Sequence, residues 1–222
     1  MYKGRISEIF KSIQGEGPYL GISQVFVRFY GCNLDCTYCD TRQIYFKEMS
    51  VEEVKSNVYN YQDYHSISIT GGEPLLQVDF LMELLPQFKQ DKKLIYLETN
   101  GVLYQNLKKI ISWVDIIAMD FKLPSSCGSQ NLFIQHRYFL EEALKRETFI
   151  KVVITPSTNE EELVEVFSIA RSIRPEIIFV LQPQHPYEEA LKERIGYFSD
   201  LGRIYLPNIR VIPQMHKILG VR

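Results

Sequence analysis

The sequence predicts an α/β fold built on a mostly parallel sheet. Apolar runs of about four to eight residues alternate with longer segments of helical periodicity along the whole chain, and such runs are typical of parallel strands covered on both faces. Repeated strand–helix units favour right-handed crossovers within one sheet. No low-complexity linker, internal repeat or shift in composition marks a boundary, so residues 1–222 are predicted to form one domain.

Seven strands and six helices account for these segments. The predicted strands are Gln24–Phe29, Ser66–Thr70, Leu94–Glu98, Asp115–Lys122, Thr148–Ile154, Ile177–Gln182 and Ile209–Ile212. Two helices follow capping boxes, in which side chains satisfy the first free backbone N–H groups. Ser50–Glu53 begins a helix that runs to about Tyr59, and Thr158–Glu161 begins one that runs through Ala170. The other predicted helices are Leu76–Phe88, Gln105–Trp113, Arg137–Arg146 and Tyr187–Phe198.

Composition places the chain among ordinary globular proteins. Hydrophobic residues make up 45% and charged residues 23% of the 222 residues, and the net charge of −2 argues against a polyanion as the main partner. No apolar run approaches the roughly 20 residues that a membrane helix needs, and the first residues lack the apolar core of a signal peptide. A cytoplasmic location is therefore expected.

Polar or Gly/Pro-rich loops follow five of the predicted strands. In parallel α/β folds, loops after the carboxyl ends of strands carry the functional groups. The five loops begin near Cys32, Gly71, Thr99, Lys122 and Gln182. Because these strand ends meet at one edge of the sheet, the loops are predicted to form a single site.

Three of the four cysteines form a CxxxCxxC motif at Cys32, Cys36 and Cys39. A structural zinc site needs a fourth Cys or a His, but no His lies within about twenty residues of the motif. Three thiolates suit a [4Fe–4S] cluster with one iron left open, which can chelate S-adenosylmethionine. The alternatives are buried or redox-active cysteines, or an incomplete zinc knuckle. Cys127 lies outside the motif and is interpreted as an ordinary loop residue.

Together with a GGEP motif at Gly71–Pro74 and an aromatic residue, Tyr38, before the last cysteine, this pattern resembles the radical S-adenosylmethionine (radical SAM) superfamily. The resemblance covers nearly the whole chain. It implies that the cysteines bind the cluster and that the GGE residues contact the methionine amino group. It also implies a partial (β/α)₆ TIM-like barrel with an N-terminal hairpin.

Four further motifs, in order, resemble the 7-carboxy-7-deazaguanine synthases (QueE). They are Gln14–Gly17 before the first core strand, Arg28 on that strand, Asp40–Thr41 after the third cysteine, and Gln214–Gly220 near the end. The family converts 6-carboxy-5,6,7,8-tetrahydropterin to 7-carboxy-7-deazaguanine with loss of ammonia, on the route to queuosine and other 7-deazapurines. The resemblance implies hydrogen abstraction by a 5′-deoxyadenosyl radical, followed by ring contraction.

The resemblance also implies roles for individual residues. Residues 1–23 form a substrate-binding extension, and Thr41 binds a Mg²⁺ ion that bridges to the substrate carboxylate. The implied substrate-binding residues are Ile13, Gln14, Gly15, Glu16, Arg28, Thr70, His216 and Arg222. The implied SAM-binding residues are Thr37, Tyr38, Gly72, Glu73, Asp120, Phe121, Lys122, Gln182, Pro183 and Gln184. No protein side chain is expected to act as a catalyst beyond the cofactor ligands, and a homodimer and a flavodoxin or ferredoxin electron donor are expected.

Simpler interpretations of three residues stay open at this stage. Arg28 is also consistent with a plain charge at a strand end, Thr41 with a cap of the next segment, and His216 with a packed histidine. Two other functions remain as alternatives. One is another radical SAM enzyme, such as an activase of a glycyl-radical enzyme, and the other is a non-enzymatic iron–sulfur or metal-binding module.

Overall fold

The computed structural model describes residues 2–39, 44–128, 131–186 and 189–221, and its central feature is a nine-stranded sheet. The strands are β1 (Gly4–Ile13), β2 (Ser23–Phe29), β3 (Lys47–Met49), β4 (Ser66–Gly71), β5 (Leu94–Thr99), β6 (Ile116–Asp120), β7 (Glu147–Ile154), β8 (Phe179–Pro183) and β9 (Ile209–Val211). Their order across the sheet is β3-β1-β2-β4-β5-β6-β7-β8-β9. The sheet is open, with β3 and β9 at opposite edges.

Seven of these strands are parallel and form the core of the fold. β2 pairs with β4, and each later strand pairs with the next in parallel register as far as β9. β1 pairs antiparallel with β2 on one side and with β3 on the other. The predicted α/β class with six strand–helix units and an N-terminal hairpin is therefore confirmed.

In the described residues, six α-helices connect the parallel strands, and a seventh follows the last strand. They are α1 (Val51–Tyr59), α2 (Val78–Gln90), α3 (Tyr104–Ile110), α4 (Phe133–Ala143), α5 (Glu160–Ile173), α6 (Glu189–Tyr205) and α7 (Met215–Leu219). The predicted capping box before α1 is confirmed, because Ser50 Oγ accepts from Glu53 N and the Glu53 carboxylate accepts from Ser50 N. No helix in the described part of the chain has the length and apolar character needed to cross a membrane.

The capping box predicted before α5 is wrong by one residue. Asn159, not Thr158, caps the helix, with its side chain accepting from Glu162 N at 3.0 Å. The Thr158 hydroxyl instead accepts from Thr155 N at 2.9 Å and closes the loop after β7. Both residue types cap helices, so the tertiary loop decides between them.

Other element boundaries differ from the prediction by several residues. α4 begins at Phe133, four positions before the predicted Arg137, where the Asn131 side chain accepts from Phe133 N. α6 continues to Tyr205 beyond the predicted end at Phe198. Strands β1 and β3 were absent from the predicted strand list. β1 mixes polar and apolar residues, and β3 is only three residues long, so neither has a clear strand pattern.

Candidate active site

A cavity of about 870 Å³ opens at the carboxyl ends of the parallel strands. Its lining includes every second residue near the ends of the strands, because alternate side chains of a strand share one face. These strand residues are Arg28, Thr70, Tyr96, Glu98, Ala118, Asp120, Phe149, Lys151, Val153 and Gln182. The loops after β1, β2 and β4 form other parts of the wall, together with the C-terminal segment, residues 214–221. The prediction of one site at this edge of the sheet therefore agrees with the structure.

The cysteine loop, residues 31–39, follows β2 and forms one side of the cavity. Cys32, Cys36 and Cys39 all line the cavity, and Cys36 is buried while the other two are exposed. The backbone N–H of Leu34 donates to Cys32 Sγ at 3.4 Å. Burial raises the pKa of the Cys32 thiol, which favours its protonated form in the absence of a metal. Iron binding would remove this proton, because a thiol that coordinates a metal is deprotonated.

Cys127 lies beside the cysteine loop, although the sequence analysis assigned it no role. It is buried, and its Sγ is 2.6 Å from Cys36 Sγ, with both residues present as free cysteines. The contact follows from the docking of two loops, because the backbone N–H of Thr37 donates to Ser126 O at 2.9 Å. The predicted SAM ligand Thr37 therefore ties the cysteine loop to the loop after β6, and its hydroxyl also donates to Ser126 O.

Gly72 and Glu73 of the GGEP motif have different positions relative to the cavity. Gly72 lines the cavity, and a Cβ at this position would lie 2.1 Å from Gly31 O, so only glycine allows this close approach. Glu73 is fully buried, and its carboxylate accepts from Leu75 N, Thr99 Oγ1 and Asn100 N. Burial raises the pKa of Glu73 to about 7. The carboxylate thus joins the loop after β4 to the end of β5, and Gly71 and Gly72 are the parts of the motif that line the cavity.

Gln14 and Glu98 form the floor of the cavity near β1 and β5. The Gln14 amide donates to Glu98 Oε1 at 2.8 Å and to Gln24 Oε1 at 3.1 Å, and its oxygen accepts from Glu16 N. Glu98 Oε2 also accepts from the Thr70 hydroxyl at 2.9 Å. The protein therefore engages the polar groups of Gln14, and Glu98 presents a carboxylate that the sequence analysis did not assign.

A chain of charged groups crosses the cavity from the Gln14–Gly17 motif to the cysteine loop. Lys151 contacts Glu16 and also lies 3.3 Å from Asp120 Oδ2. Lys122 lies 2.7 Å from the same Asp120 oxygen and donates to the Tyr38 hydroxyl at 2.9 Å. Burial alone would raise the pKa values of Glu16 and Asp120, but the neighbouring ammonium groups hold both below their ordinary values. Both carboxylates are therefore ionised acceptors.

The C-terminal segment packs against the Gln14–Gly17 motif. Met215 N donates to Gly15 O at 3.0 Å, and a Cβ at Gly15 would lie 2.2 Å from His216 Nδ1. Gln214 Nε2 donates to Glu16 Oε1 at 2.9 Å. His216 and Glu16, which are 200 positions apart in the sequence, therefore lie together on the cavity wall.

Arg28 is next to Thr70 in the parallel register of β2 and β4 and lines the cavity. Its guanidinium lies 5.4 Å from the centre of the Phe10 ring, and Nε is 3.5 Å from Glu8 Oε2. Its side chain is 24% exposed, so part of the guanidinium can be reached from the cavity although Glu8 lies beside it.

Several predicted SAM-binding residues lie at the strand ends without facing the cavity with their side chains. Phe121 is fully buried and packs against the tilted ring of His136, with ring centres 4.2 Å apart. Pro183 ends β8, and Gln184 N donates to Ile154 O. Gln182 does line the cavity, and both atoms of its buried amide lack hydrogen-bond partners in the described structure. Such orphaned groups require a partner that the described residues do not supply.

Among the other predicted residues, Ile13 ends β1 next to the Gln14–Gly17 motif. Thr41 and Arg222, the predicted Mg²⁺ ligand and terminal substrate contact, lie outside the described residues.

The cavity fits a [4Fe–4S] cluster with SAM better than a single metal ion. No three His, Cys, Asp or Glu side chains in the described ranges converge on a single-ion site. A cluster does not require such convergence, because each cysteine binds a different iron. The orphaned Gln182 amide lines the same cavity as the three cysteines and provides a polar group that could bind SAM.

Comparisons with known proteins agree with this site. Residues 26–170 match the model of the radical SAM superfamily. The chain is 38% identical to a 7-carboxy-7-deazaguanine synthase of Geobacter sulfurreducens, over 97% of this chain and 96% of the relative. This chain belongs to the 7-carboxy-7-deazaguanine synthase family. It is also 33% identical to the synthase of the same name from Methanothermobacter thermautotrophicus, over 100% of this chain and 99% of the relative.

The crystal structure of QueE from Escherichia coli has the same fold, with a TM-score of 0.67 at 19% identity over 96% of this chain and 95% of that one. The predictions of family, fold class and enzymatic activity are thus confirmed. The superfamily implies a [4Fe–4S] cluster and SAM as cofactors, and the comparisons favour neither alternative function.

The charged cavity residues that sequence analysis missed include Glu98 and Lys151. Each is a charged residue in a strand otherwise rich in apolar residues, Leu94–Thr99 and Glu147–Ile154. A charged side chain on the buried face of a strand costs free energy unless it has a partner. The mismatch between a charged residue and a buried strand position was therefore the feature of the sequence that could have identified Glu98 and Lys151.

Proposed function

We propose that this protein converts 6-carboxy-5,6,7,8-tetrahydropterin to 7-carboxy-7-deazaguanine with loss of ammonia. The observation that carries the proposal is a single cavity that combines the cysteine loop and Gly72 with Glu16, Arg28 and His216. Its volume of about 870 Å³ lies in the range of ligand pockets and is large for a single pterin. The names of the relatives support the same reaction.

One half of the cavity, called the SAM half, would be formed by the cysteine loop and the ends of β4, β6 and β8. Cys32, Cys36 and Cys39 would ligate the cluster, while the Gly72 backbone and the Gln182 amide would contact SAM. When bound, the cluster and SAM supply a 5′-deoxyadenosyl radical for hydrogen abstraction from the substrate. The buried side chains around this site exclude water and place the substrate hydrogen.

The substrate half would be formed by residues 1–23 as the substrate-binding extension, together with the strand ends. The ionised Glu16 carboxylate would accept from the N–H donors of the pterin ring, and Glu98 would offer a second acceptor near Thr70. Arg28, which lines the cavity and is partly exposed, would bind the substrate carboxylate. A site that pairs buried polar groups with one ring edge discriminates strongly against analogues that lack those donors.

Four further features belong to the same proposal. Thr41 would bind a Mg²⁺ ion that also contacts the substrate carboxylate, consistent with the few protein ligands that Mg²⁺ usually takes. A flavodoxin or ferredoxin would reduce the cluster, and two copies of the chain would form a homodimer. The cytoplasm would supply the reducing conditions that a thiolate-held cluster needs.

The test is anaerobic turnover of 6-carboxytetrahydropterin by the cluster-loaded protein with reductant and SAM, with and without Mg²⁺. We expect 7-carboxy-7-deazaguanine, its loss in Cys36→Ala, and slower formation without Mg²⁺. Reductive cleavage of SAM without this product would retain the radical SAM chemistry and overturn the proposed substrate. Equal rates with and without the ion would overturn the role of Thr41 alone.

A further inference from the structure

Lys151 is a buried cation that none of the sequence motifs includes. It lies on β7 between Phe149 and Val153, which line the same cavity, and its side chain is only 12% exposed. A lysine in such a position loses hydration and requires compensating partners. Its position midway along the cavity wall therefore calls for an explanation beyond packing.

The partners of Lys151 come from two different parts of the cavity. Glu16 follows β1 and belongs to the proposed substrate half, where Gln214 from the C-terminal segment also binds it. Asp120 ends β6, directly beside Lys151 in the parallel register, and belongs to the predicted SAM half. One ammonium group thus contacts a carboxylate from each half.

The two carboxylates depend on this ammonium group to different degrees. Asp120 has a second cation, Lys122, which also binds the Tyr38 hydroxyl in the cysteine loop. Among the described residues, the other hydrogen bond to the Glu16 carboxylate comes from the neutral amide of Gln214. A change at Glu16 therefore shifts the distribution of Lys151 between the two carboxylates, and Asp120 experiences that shift.

We propose that Lys151 is a positioning residue that energetically couples the substrate half of the cavity at Glu16 to the SAM half at Asp120. The assignment of ligands to the two halves rests on the proposed function. When an N–H donor of the substrate binds Glu16, the ammonium group of Lys151 shifts toward Asp120. This shift changes the interaction of the Asp120 carboxylate with SAM. Coupling of this kind is reciprocal, so SAM also changes the affinity of the Glu16 side for its ligand.

The test is a double-mutant cycle on SAM affinity that uses no pterin. Anaerobic cluster-loaded proteins carrying Glu16→Gln, Lys151→Met or both are titrated with SAM, and binding is followed by the spectrum of the cluster. Glu16→Gln removes the negative charge that holds Lys151 on the substrate side, so Lys151 pairs more strongly with Asp120. We therefore expect the Kd for SAM to rise about fivefold in the wild-type background. In the Lys151→Met background the same change should alter the Kd less than about twofold.

Two controls separate coupling from a merely structural role. Lys109→Met removes an exposed lysine of α3 and should leave the effect of Glu16→Gln intact. Lys151→Arg keeps the positive charge and should retain most of the coupling. Iron content and thermal unfolding are recorded for every variant, and Lys151→Gln replaces Lys151→Met in the cycle if the latter loses its cluster.

The same Kd change for Glu16→Gln in both backgrounds, or no change in either, would overturn the coupling role of Lys151. Because the cycle contains only SAM, its outcome does not depend on pterin turnover. A wild-type protein that fails to make the deazaguanine product would overturn the proposed function, and the cycle would still decide the role of Lys151.

Discussion

The cysteine loop and the polar wall of the cavity face each other but are built in opposite ways. The cysteine loop contains no helix or strand in residues 31–39, and its three cysteines come from eight consecutive positions. The polar wall consists of Gln14, Glu16, Glu98, Asp120 and Lys151, which come from four separate parts of the chain and pair with one another. Glu16 and Lys151, for example, are 135 positions apart.

The difference shows two ways in which a protein can fix the positions of the side chains in a site. In the proposed function, the cluster bound by the three cysteines would set the final geometry of the cysteine loop, so few protein contacts would be needed in advance. The polar wall must orient acceptors before the substrate arrives, and strand-borne side chains with mutual hydrogen bonds provide that order. Substitutions in the two regions should therefore have different consequences for cofactor binding and for stability.

Gly72→Ala is expected to have the largest effect, because it breaks the contact between the cysteine loop and β4. The new Cβ would lie 2.1 Å from Gly31 O, and a backbone atom cannot move aside as a side chain can. Overpacking of this kind costs about 3 kcal/mol or more, which weakens SAM binding on the order of 100-fold.

SAM titration of the cluster-loaded Gly72→Ala variant checks this prediction. Gly196→Ala in α6 is the matched control, because nothing lies within 4 Å of its new Cβ. An unchanged SAM affinity and iron content in Gly72→Ala would contradict the close approach of the two loops.

Glu73→Gln should change the pH dependence of stability of the protein without SAM. Burial raises the pKa of Glu73 from 4.5 to about 7 in the folded protein, so folding favours the protonated form. Its contribution is fully present below pH 4.5 and is lost as the pH rises toward 7. By linkage, this group lowers the free energy of unfolding by roughly 3 kcal/mol across that window.

Denaturant unfolding between pH 4.5 and 8 measures this dependence. The Gln side chain does not titrate, so the difference in unfolding free energy between wild type and Glu73→Gln should vary across the window. Parallel curves for the two proteins would show that Glu73 ionises normally.

Glu98→Ala tests the internal pairing of the polar wall. The carboxylate accepts from Gln14, Ser68 and Thr70, and its removal leaves these donors without that partner. We expect a loss of about 2 kcal/mol of unfolding free energy, because buried donors without acceptors are costly. The midpoint temperature of thermal unfolding should fall by roughly 4–8 °C.

Glu165→Ala, on the exposed face of α5, is the control for Glu98→Ala and should leave the unfolding midpoint within about 2 °C of the wild type. Equal midpoints for Glu98→Ala and wild type would mean that the wall is not held by these bonds.

Gly15→Ala should have the smallest effect on stability and should act on the substrate half alone. The Cβ would meet the His216 ring at 2.2 Å and displace the C-terminal segment, which lies at the surface. We expect a stability change of about 1 kcal/mol or less and a KM for the pterin that rises about fivefold.

Steady-state kinetics on the pterin, together with SAM titration, measures both sides of this prediction. The Kd for SAM should remain unchanged in Gly15→Ala. A rise in that Kd equal to the rise in KM would contradict the separation of the two halves.

Local patterns in the sequence were sufficient for the fold class, most strands and helices, the cysteine motif and the GGEP motif. Each of these depends on residues close together in the chain, such as the apolar run of β7 or the capping box at Ser50 and Glu53. The family motifs carried the assignment of the reaction in the same way. Boundaries such as the start of α4 were less certain because neighbouring residues can serve equally well as caps.

Tertiary structure alone decided which side chains face the cavity and with which partners. It placed Phe121 in the core, engaged Gln14 with protein groups, brought Cys127 to Cys36, and joined Glu16 to Lys151. These outcomes depend on strand register and on contacts between distant segments, which no local pattern encodes. The sequence by itself therefore determined the chemistry of this protein, and the packing of the sheet determined the geometry in which that chemistry is held.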